Sequence, residues 1–177
     1  DLLAGNYEEE LNKHKSSRSK ASEIENAIKH HIKINIDEDP EYYKKLSERL
    51  KDIIQRHEEK WDDLVQLLLD FRNNIEKDHK QGAKEAGLTE TEYAFFNILL
   101  SELEGKQISD EEKVKDVVQS LVQMLDEATQ IVDFFNKWDE QKRVKRDIKR
   151  VIIANFDESM VKPVSERFME LAKAKFG

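Results

Sequence analysis

The chain contains no cysteine, two prolines and five glycines in 177 residues. The lack of cysteine excludes disulfides and thiolate metal sites, and it fits a reducing compartment. Because so few glycines and prolines are available for turns, a fold of many short strands is disfavoured. Long apolar runs are missing too, since the most apolar stretch, residues 64–69, is far too short to cross a bilayer. No association with a membrane is expected.

Charge is what the sequence has in abundance. Charged and hydrophobic residues each make up 38% of the chain, a balance typical of long solvated helices around a lean core. The net charge of −8 argues against a protein that coats DNA over its whole surface. Residues 142–177 nevertheless hold ten Lys and Arg against five Asp and Glu, so the remaining 141 residues carry an excess of thirteen negative charges. Only the C-terminal end has a charge suited to binding phosphate groups.

Apolar residues recur at helical spacing along most of the chain, which predicts an all-α protein. The expected architecture is an irregular bundle of about six to eight helices. An apolar stripe from Tyr43 to Ile75 in steps of three and four predicts one long helix, or a collinear pair, over roughly residues 40–80. Other helices are expected over residues 1–14, 22–34, 89–104 and 110–135, where Val132 should be buried, and after Trp138 and Pro163.

Three local patterns predict where helices begin. Asp39-Pro40 combines a carboxylate that can accept amide hydrogen bonds with a proline suited to a first helical turn. Thr89 and Glu92 have the spacing of a reciprocal capping box. The sequence Ser-Asp-Glu-Glu at residues 109–112 repeats that box.

The chain begins with Asp1 rather than Met and has no signal-peptide pattern, so we expect part of a longer cytoplasmic protein. Residues 15–20 contain no apolar side chain and predict a linker, followed by a helix with Ser22 as a possible cap. The expected division is therefore an N-terminal helix and linker over residues 1–18, followed by one helical domain over residues 19–177.

No pattern in the sequence predicts catalysis. Residues 126–129 (Asp-Glu-Ala-Thr) resemble the acidic Mg²⁺ box of helicase motors, but they fall inside an amphipathic helix and no phosphate-binding Gly-rich loop exists in the chain. There is also no cysteine, and no serine in the context of a nucleophile elbow. We therefore expect no catalytic residue, cofactor or metal within these residues.

Two weaker patterns have alternative interpretations. Glu76 and His79 have the spacing of di-iron ligands, but a second such pair is missing, so a solvated surface is favoured. His30 and His31 point about 100° apart on a helix and cannot share a metal, so His31 is expected at the edge of the core. The acidic residues 37–39 could bind a cation or a basic partner, although a helix cap with solvated neighbours is the simpler interpretation.

The strongest candidate site is a basic run in which six cations occur within nine residues, opposed only by Asp147. On a helix, much of this run falls on one face, opposite the apolar positions 144, 148, 151 and 152. Such a row suits sequence-independent contact with a phosphate backbone, while a solvated helix face paired with acidic residues is the alternative. The run has no interleaved aromatic residue, which favours duplex backbone contact over base stacking. The candidate DNA contacts are Lys142, Arg143, Lys145, Arg146, Lys149 and Arg150.

Two other function classes remain open. The stripe from Tyr43 to Ile75 is compatible with a coiled-coil or helical scaffold that has no nucleic-acid role. However, the adjacent leucines at positions 67–69 widen the stripe beyond a two-stranded seam, and Trp61 and Phe71 favour a globular core. A metal-dependent helical-bundle enzyme ranks third.

Several blocks resemble the C-terminal region of the R (motor and restriction, HsdR) subunit of type I restriction-modification enzymes. The more specific block spans EIENAIKHHI at residues 23–32 and DEDPEYYKKLSE at residues 37–48. The others are LTETEYAFF at residues 88–96, RDIKR at residues 146–150 and RFMELA at residues 167–172.

This resemblance implies a helical, non-catalytic domain of a bacterial cytoplasmic subunit that couples a nuclease to an ATP-driven translocase on double-stranded DNA. The nuclease and motor motifs of that family have no matching positions here, so ATP and Mg²⁺ would belong to the parent subunit. The implied partners are the methyltransferase (M) and specificity (S) subunits and double-stranded DNA, with this region docking on the methyltransferase core.

Overall fold

The protein is all-α in a computed structural model that describes residues 7–12, 16–106 and 110–177, and this part of the chain contains no strand. The predicted fold class is confirmed. Seven described helices have 14 residues or more, and a five-residue helix precedes them; residues 1–6 and 13–14 of the predicted first helix lie outside the described residues. No helix in the described ranges is both long and apolar enough to span a membrane. The helices are α1 (Tyr7–Leu11), α2 (Ser17–Asn35), α3 (Pro40–Arg56), α4 (Trp61–Ala86), α5 (Glu90–Leu103), α6 (Glu111–Thr129), α7 (Trp138–Asn155) and α8 (Val161–Phe176), with 3₁₀ turns at Phe134–Asn136 and Glu158–Met160.

The chain divides into two compact units, each with its own core. The N-terminal unit comprises Asp1–Ile36 and Tyr42–Gly82. Its core joins apolar faces of α2, α3 and α4, and it is built mainly from aliphatic side chains. The most deeply buried of these are Ile24, Ile28, Leu50, Leu68 and Ile75.

Helix α2 begins earlier than the sequence predicts. Its first residue is Ser17, inside the stretch predicted as a linker, and its cap is Ser16 rather than Ser22. The Ser16 hydroxyl accepts a hydrogen bond from the Ser19 amide at 3.2 Å, the usual way in which serine satisfies a free helical N–H. Residues 16–20 have polar side chains, and none of them is buried. This first turn therefore lacks the apolar residues at helical spacing from which a helix is predicted.

Helices α3 and α4 form an antiparallel pair, so the predicted long helix or collinear pair over residues 40–80 is wrong. The Tyr42 hydroxyl near the start of α3 donates to the carbonyl of Ile75 late in α4. Farther along α3, Arg49 lies over the Phe71 ring at 5.3 Å. The reversal occurs at residues 57–60, where Glu59 adopts a left-handed φ of 68°, a conformation uncommon outside glycine. The stripe is therefore two short stripes that face each other.

The C-terminal unit comprises Asp37–Glu41 and Ala83–Gly177. Helix α5 is its most buried element, because six consecutive residues from Ala94 to Leu99 are inaccessible or nearly so. Helices α6, α7 and α8 contribute one apolar face each to the same core. The largest side chains without solvent exposure there include Phe95, Phe134 and Phe168.

The helix ends of this unit follow capping chemistry. Helix α4 ends at Ala86, followed by Gly87 with a left-handed φ of 71°. The capping box before α5 is confirmed, since Thr89 and Glu92 exchange side chain-to-backbone hydrogen bonds at 3.2 and 2.8 Å. Ser109 lies outside the described residues, and Asp110 caps α6 through the Glu112 amide at 3.0 Å.

Helix α6 is shorter than predicted. It ends at Thr129, and the chain turns before the 3₁₀ segment Phe134–Asn136. Val132 was expected to be buried but is 78% exposed, whereas Phe134 takes a core position. The departure from α-helix shifts which residues face inward, so the 3.6-residue period no longer applies after residue 129.

Candidate nucleic-acid interface

Helix α7 carries the predicted basic residues on the surface of the C-terminal unit. Its inner face is fixed by Val144, Ile148 and Ile152, which are four residues apart and buried in the core. Residues three or four positions apart share a helical face, so these three anchors leave the opposite side of the helix turned outward. Lys145 is half-buried, and the other five predicted cations are exposed: Lys142, Arg143, Arg146, Lys149 and Arg150.

Part of this basic surface is paired with carboxylates of the same unit. Three carboxylates contact four of the six cations, so the surface keeps a positive excess of three. Ion pairs of this kind, exposed to water, contribute only about 0–1 kcal/mol each, so a phosphate can compete for the same cations. The pairs are Arg143–Glu140 at 2.7 Å, Arg150–Asp147 at 3.2 Å, Lys145–Glu166 at 3.8 Å and Arg146–Asp147 at 3.9 Å.

Two lysines of α7 form no ion pair with any described residue. Lys149 is exposed, and the Lys142 ammonium lies 4.6 Å from the centre of the Trp138 ring. At 100° per residue, Trp138, Lys142 and Lys149 fall within an arc of about 40°. We call these three residues the lysine strip. Its cations are the ones that an incoming phosphate would meet without displacing a carboxylate.

The tryptophan of this strip was not singled out from the sequence as a candidate contact. Trp138 is an apolar residue at a helix start and is 68% exposed. Helix α7 makes its first core contact at Val144, and Phe134 occupies the core ahead of it. Trp138 is not among the residues of this core. The available signal was its position four residues before the basic run.

Two residues of the acidic cluster at 37–39 are engaged by side chains of the C-terminal unit itself. The Asn97 amide donates to Asp39 at 3.1 Å in the interior. The Lys175 ammonium lies 2.7 Å from Glu38. The cluster at residues 37–39 was expected either to bind a cation or basic partner or to cap a helix; the basic group that Glu38 meets is Lys175, on α8 of its own chain.

Arg167 is the centre of the most buried ionic network. Its guanidinium donates to the Ser101 hydroxyl at 2.9 Å, to Glu102 at 2.8 Å and to Glu41. Burial lowers the pKa of Arg167, but the hydrogen bonds and charges of the two glutamates raise it more, so its pKa lies above the ordinary value. Glu41 is only 7% exposed. The network joins residues 37–41 to α5 and α8.

The remaining sequence candidates lie on helix surfaces. Asp126 and Glu127 are exposed on α6, and Glu127 accepts a hydrogen bond from Gln123 at 3.0 Å. Glu76 is exposed, while His79 packs against the Tyr42 ring at 4.6 Å. Within the described ranges, no three His, Cys, Asp or Glu side chains come together as metal ligands.

The two adjacent histidines lie in different environments. His30 is exposed and His31 is buried, as predicted from their angular separation on α2. Burial lowers the pKa of His31 and His30 lowers it further, while Glu76 opposes the shift. His31 is therefore a core-edge residue that favours its neutral form.

Comparison with known proteins identifies the relatives of this chain. Residues 1–174 match the family model described as "Type I restriction enzyme HindI endonuclease subunit-like, C-terminal". A curated relative, the "Putative type I restriction enzyme MjaIXP endonuclease subunit" of Methanocaldococcus jannaschii, is 26% identical over 147 residues. That match covers 80% of this chain but 14% of the relative. No solved structure matches the chain significantly.

The family match extends over nearly the whole chain and includes both units. It agrees with the resemblance carried by residues 23–48, 88–96, 146–150 and 167–172. The chain therefore belongs to the C-terminal domain family of type I restriction enzyme endonuclease subunits of the HindI type.

Proposed function

We propose that this chain is a non-catalytic assembly and DNA-contact domain of a type I restriction endonuclease subunit. In this role it helps the subunit dock on the methyltransferase (M) and specificity (S) subunits, and it contacts the backbone of double-stranded DNA without reading its sequence. The main support for this proposal is the exposed face of α7, on which five cations are accessible. Two of them, Lys142 and Lys149, have no carboxylate partner among the described residues.

The uneven distribution of charge along the chain supports this assignment. A body with a net charge of −8 repels DNA over most of its surface, so contact would be restricted to the basic helix. Cleavage and ATP-driven translocation, with ATP and Mg²⁺ as cofactors, would then belong to the rest of the subunit. The chain spans 14% of the length of the curated relative that it matches, which leaves room for those activities elsewhere.

A salt series on the intact restriction complex tests the DNA contact. If all six cations neutralise phosphates, they contribute about −5 to the slope of log K against log salt. Replacing Lys142, Arg146 and Lys149 with alanine should make the slope less steep by up to about 2.7, because each lost phosphate contact removes about 0.9. The slope is measured by anisotropy of a labelled duplex without ATP.

A matched control separates local contact from overall charge. Replacing Lys44, Lys45 and Lys51 with alanine removes the same charge from exposed positions of α3. We expect that control to leave the slope within error of the wild type. A slope that is the same for both triple variants and the wild type would exclude the DNA contact and leave only docking.

Docking is tested by deleting residues 20–177 from the endonuclease subunit. Because this stretch holds the C-terminal core and all of the N-terminal core except the α1 side chains, the deletion should weaken association with the methyltransferase, measured by co-purification or interferometry. The control is the intact subunit with the α7 triple substitution, which should still assemble. Full assembly of the deleted subunit would contradict the docking role and favour a scaffold with no part in the complex.

A further inference from the structure

Trp138 is the large aromatic side chain most exposed in the described part of the chain, at 68%. Val132, six residues earlier in the chain, is 78% exposed. Single exposed apolar residues are common, but an exposed tryptophan within a cationic strip is not explained by packing. It places a planar ring beside the candidate phosphate contacts.

The segment that carries the tryptophan is held firmly. Phe134 is buried and meets the Phe135 ring edge-on at 5.0 Å. The Gln141 amide on α7 donates to the Phe135 carbonyl at 3.0 Å. These contacts fix the 3₁₀ turn against the first turn of α7. Because the backbone that presents the ring is held in this way, only side-chain freedom of Trp138 is lost when the ring binds a ligand.

The surroundings of the ring select for an anion. The Lys142 ammonium sits over the indole, and Lys149 lies about 16 Å from Trp138 along the helix axis at 1.5 Å per residue. Along the helix, the lysine strip therefore presents one aromatic ring followed by two cations. A membrane-binding helix would need a continuous apolar face, whereas here the apolar Trp138 and Ile153 are separated by Lys142, Arg146 and Lys149.

We propose that the lysine strip binds single-stranded DNA, with Trp138 stacking on an unpaired base and Lys142 and Lys149 contacting phosphates of the same strand. Bases inside a duplex are stacked on one another and cannot offer a face to the indole. Aromatic rings combined with cations are the usual means of binding single strands without sequence preference. This inference rests on the proposed function, since it requires that α7 faces DNA.

The test uses the intact subunit and two labelled hairpins, one blunt and one with a single-stranded tail of ten thymidines. We expect the wild type to prefer the tailed hairpin. Trp138→Leu should reduce that preference, taken as the ratio of the two affinities of the same variant, about tenfold, in line with the loss of one base–aromatic stack. Trp138→Phe should keep most of the preference, because it keeps a stacking ring. Equal melting temperatures show that the variants fold.

A second measurement locates the contact directly. With 5-iodouracil in the tail, irradiation should attach the strand to the peptide that contains Trp138, and the Lys142/Arg146/Lys149 triple variant should lose this product. A tail preference that Trp138→Leu leaves intact, or no crosslink at that peptide, would overturn the inference. The blunt-hairpin salt slope reports separately on the proposed duplex contact, so a failure of the stacking inference can be distinguished from a failure of the proposed function.

Discussion

Replacing Phe168 with alanine should lower the free energy of unfolding of the C-terminal unit by about 3–5 kcal/mol. Phe168 has no solvent exposure, and its ring meets Phe95 edge-on at 4.9 Å. The substitution removes apolar contacts and leaves a cavity that close-packed neighbours fill only in part. Hydrogen exchange of α5 and α8 peptides under native conditions measures this change within the unit.

The matched control for this cavity is Phe176→Ala in the same helix. Phe176 is only partly buried at the end of α8, so its loss should cost about 1 kcal/mol, by the apolar area involved. Comparable protection of the α5 amides in the two variants would contradict the placement of Phe168 at the centre of this core.

Replacing Arg167 with alanine should destabilise the C-terminal unit by about 3 kcal/mol, the cost typical of breaking a buried ion pair from one side. The change leaves the buried Glu41 carboxylate without this cation and removes a hydrogen-bond donor from Glu102 and Ser101. A carboxylate away from water and without its cation is costly. Denaturation by urea, followed by circular dichroism, gives the difference in stability.

An arginine on the surface provides the comparison. Arg146→Ala removes the same side chain from an exposed position with one distant carboxylate contact, and should cost less than about 0.5 kcal/mol. Adding Glu41→Gln to Arg167→Ala should restore part of the lost stability, because the stranded charge is gone. Failure of the double variant to recover would mean that the arginine acts through packing alone.

Local chemistry explains which parts of this fold were predictable. The start of α5 was predicted in detail because Thr89 and Glu92, which lie within four residues, exchange the hydrogen bonds that cap the helix. The core face of α7 was predicted because Val144, Ile148 and Ile152 repeat with the helical period. Both depend only on neighbours in sequence.

The features that sequence reasoning missed depend on non-local contacts or on unusual backbone. The reversal between α3 and α4 has no glycine or proline and instead places Glu59 in a left-handed conformation. The partner of Glu41 is Arg167, which lies 126 residues away. The candidate basic residues could be named in advance, but the 68% exposure of Trp138 could not, because it depends on how the chain packs after α6.

The ionic contacts of residues 37–41 have a consequence for how this domain can be shortened. Asp37–Glu41 belong to the C-terminal unit although residues 42–82 separate them from the rest of it. A truncated protein that starts at Ala83 would keep α5 to α8 but lose Glu41, Asp39 and Glu38, the partners of Arg167, Asn97 and Lys175. Proteolytic trimming or subcloning in that interval therefore yields an incomplete module, and a self-sufficient one must retain the chain from residue 37 onward.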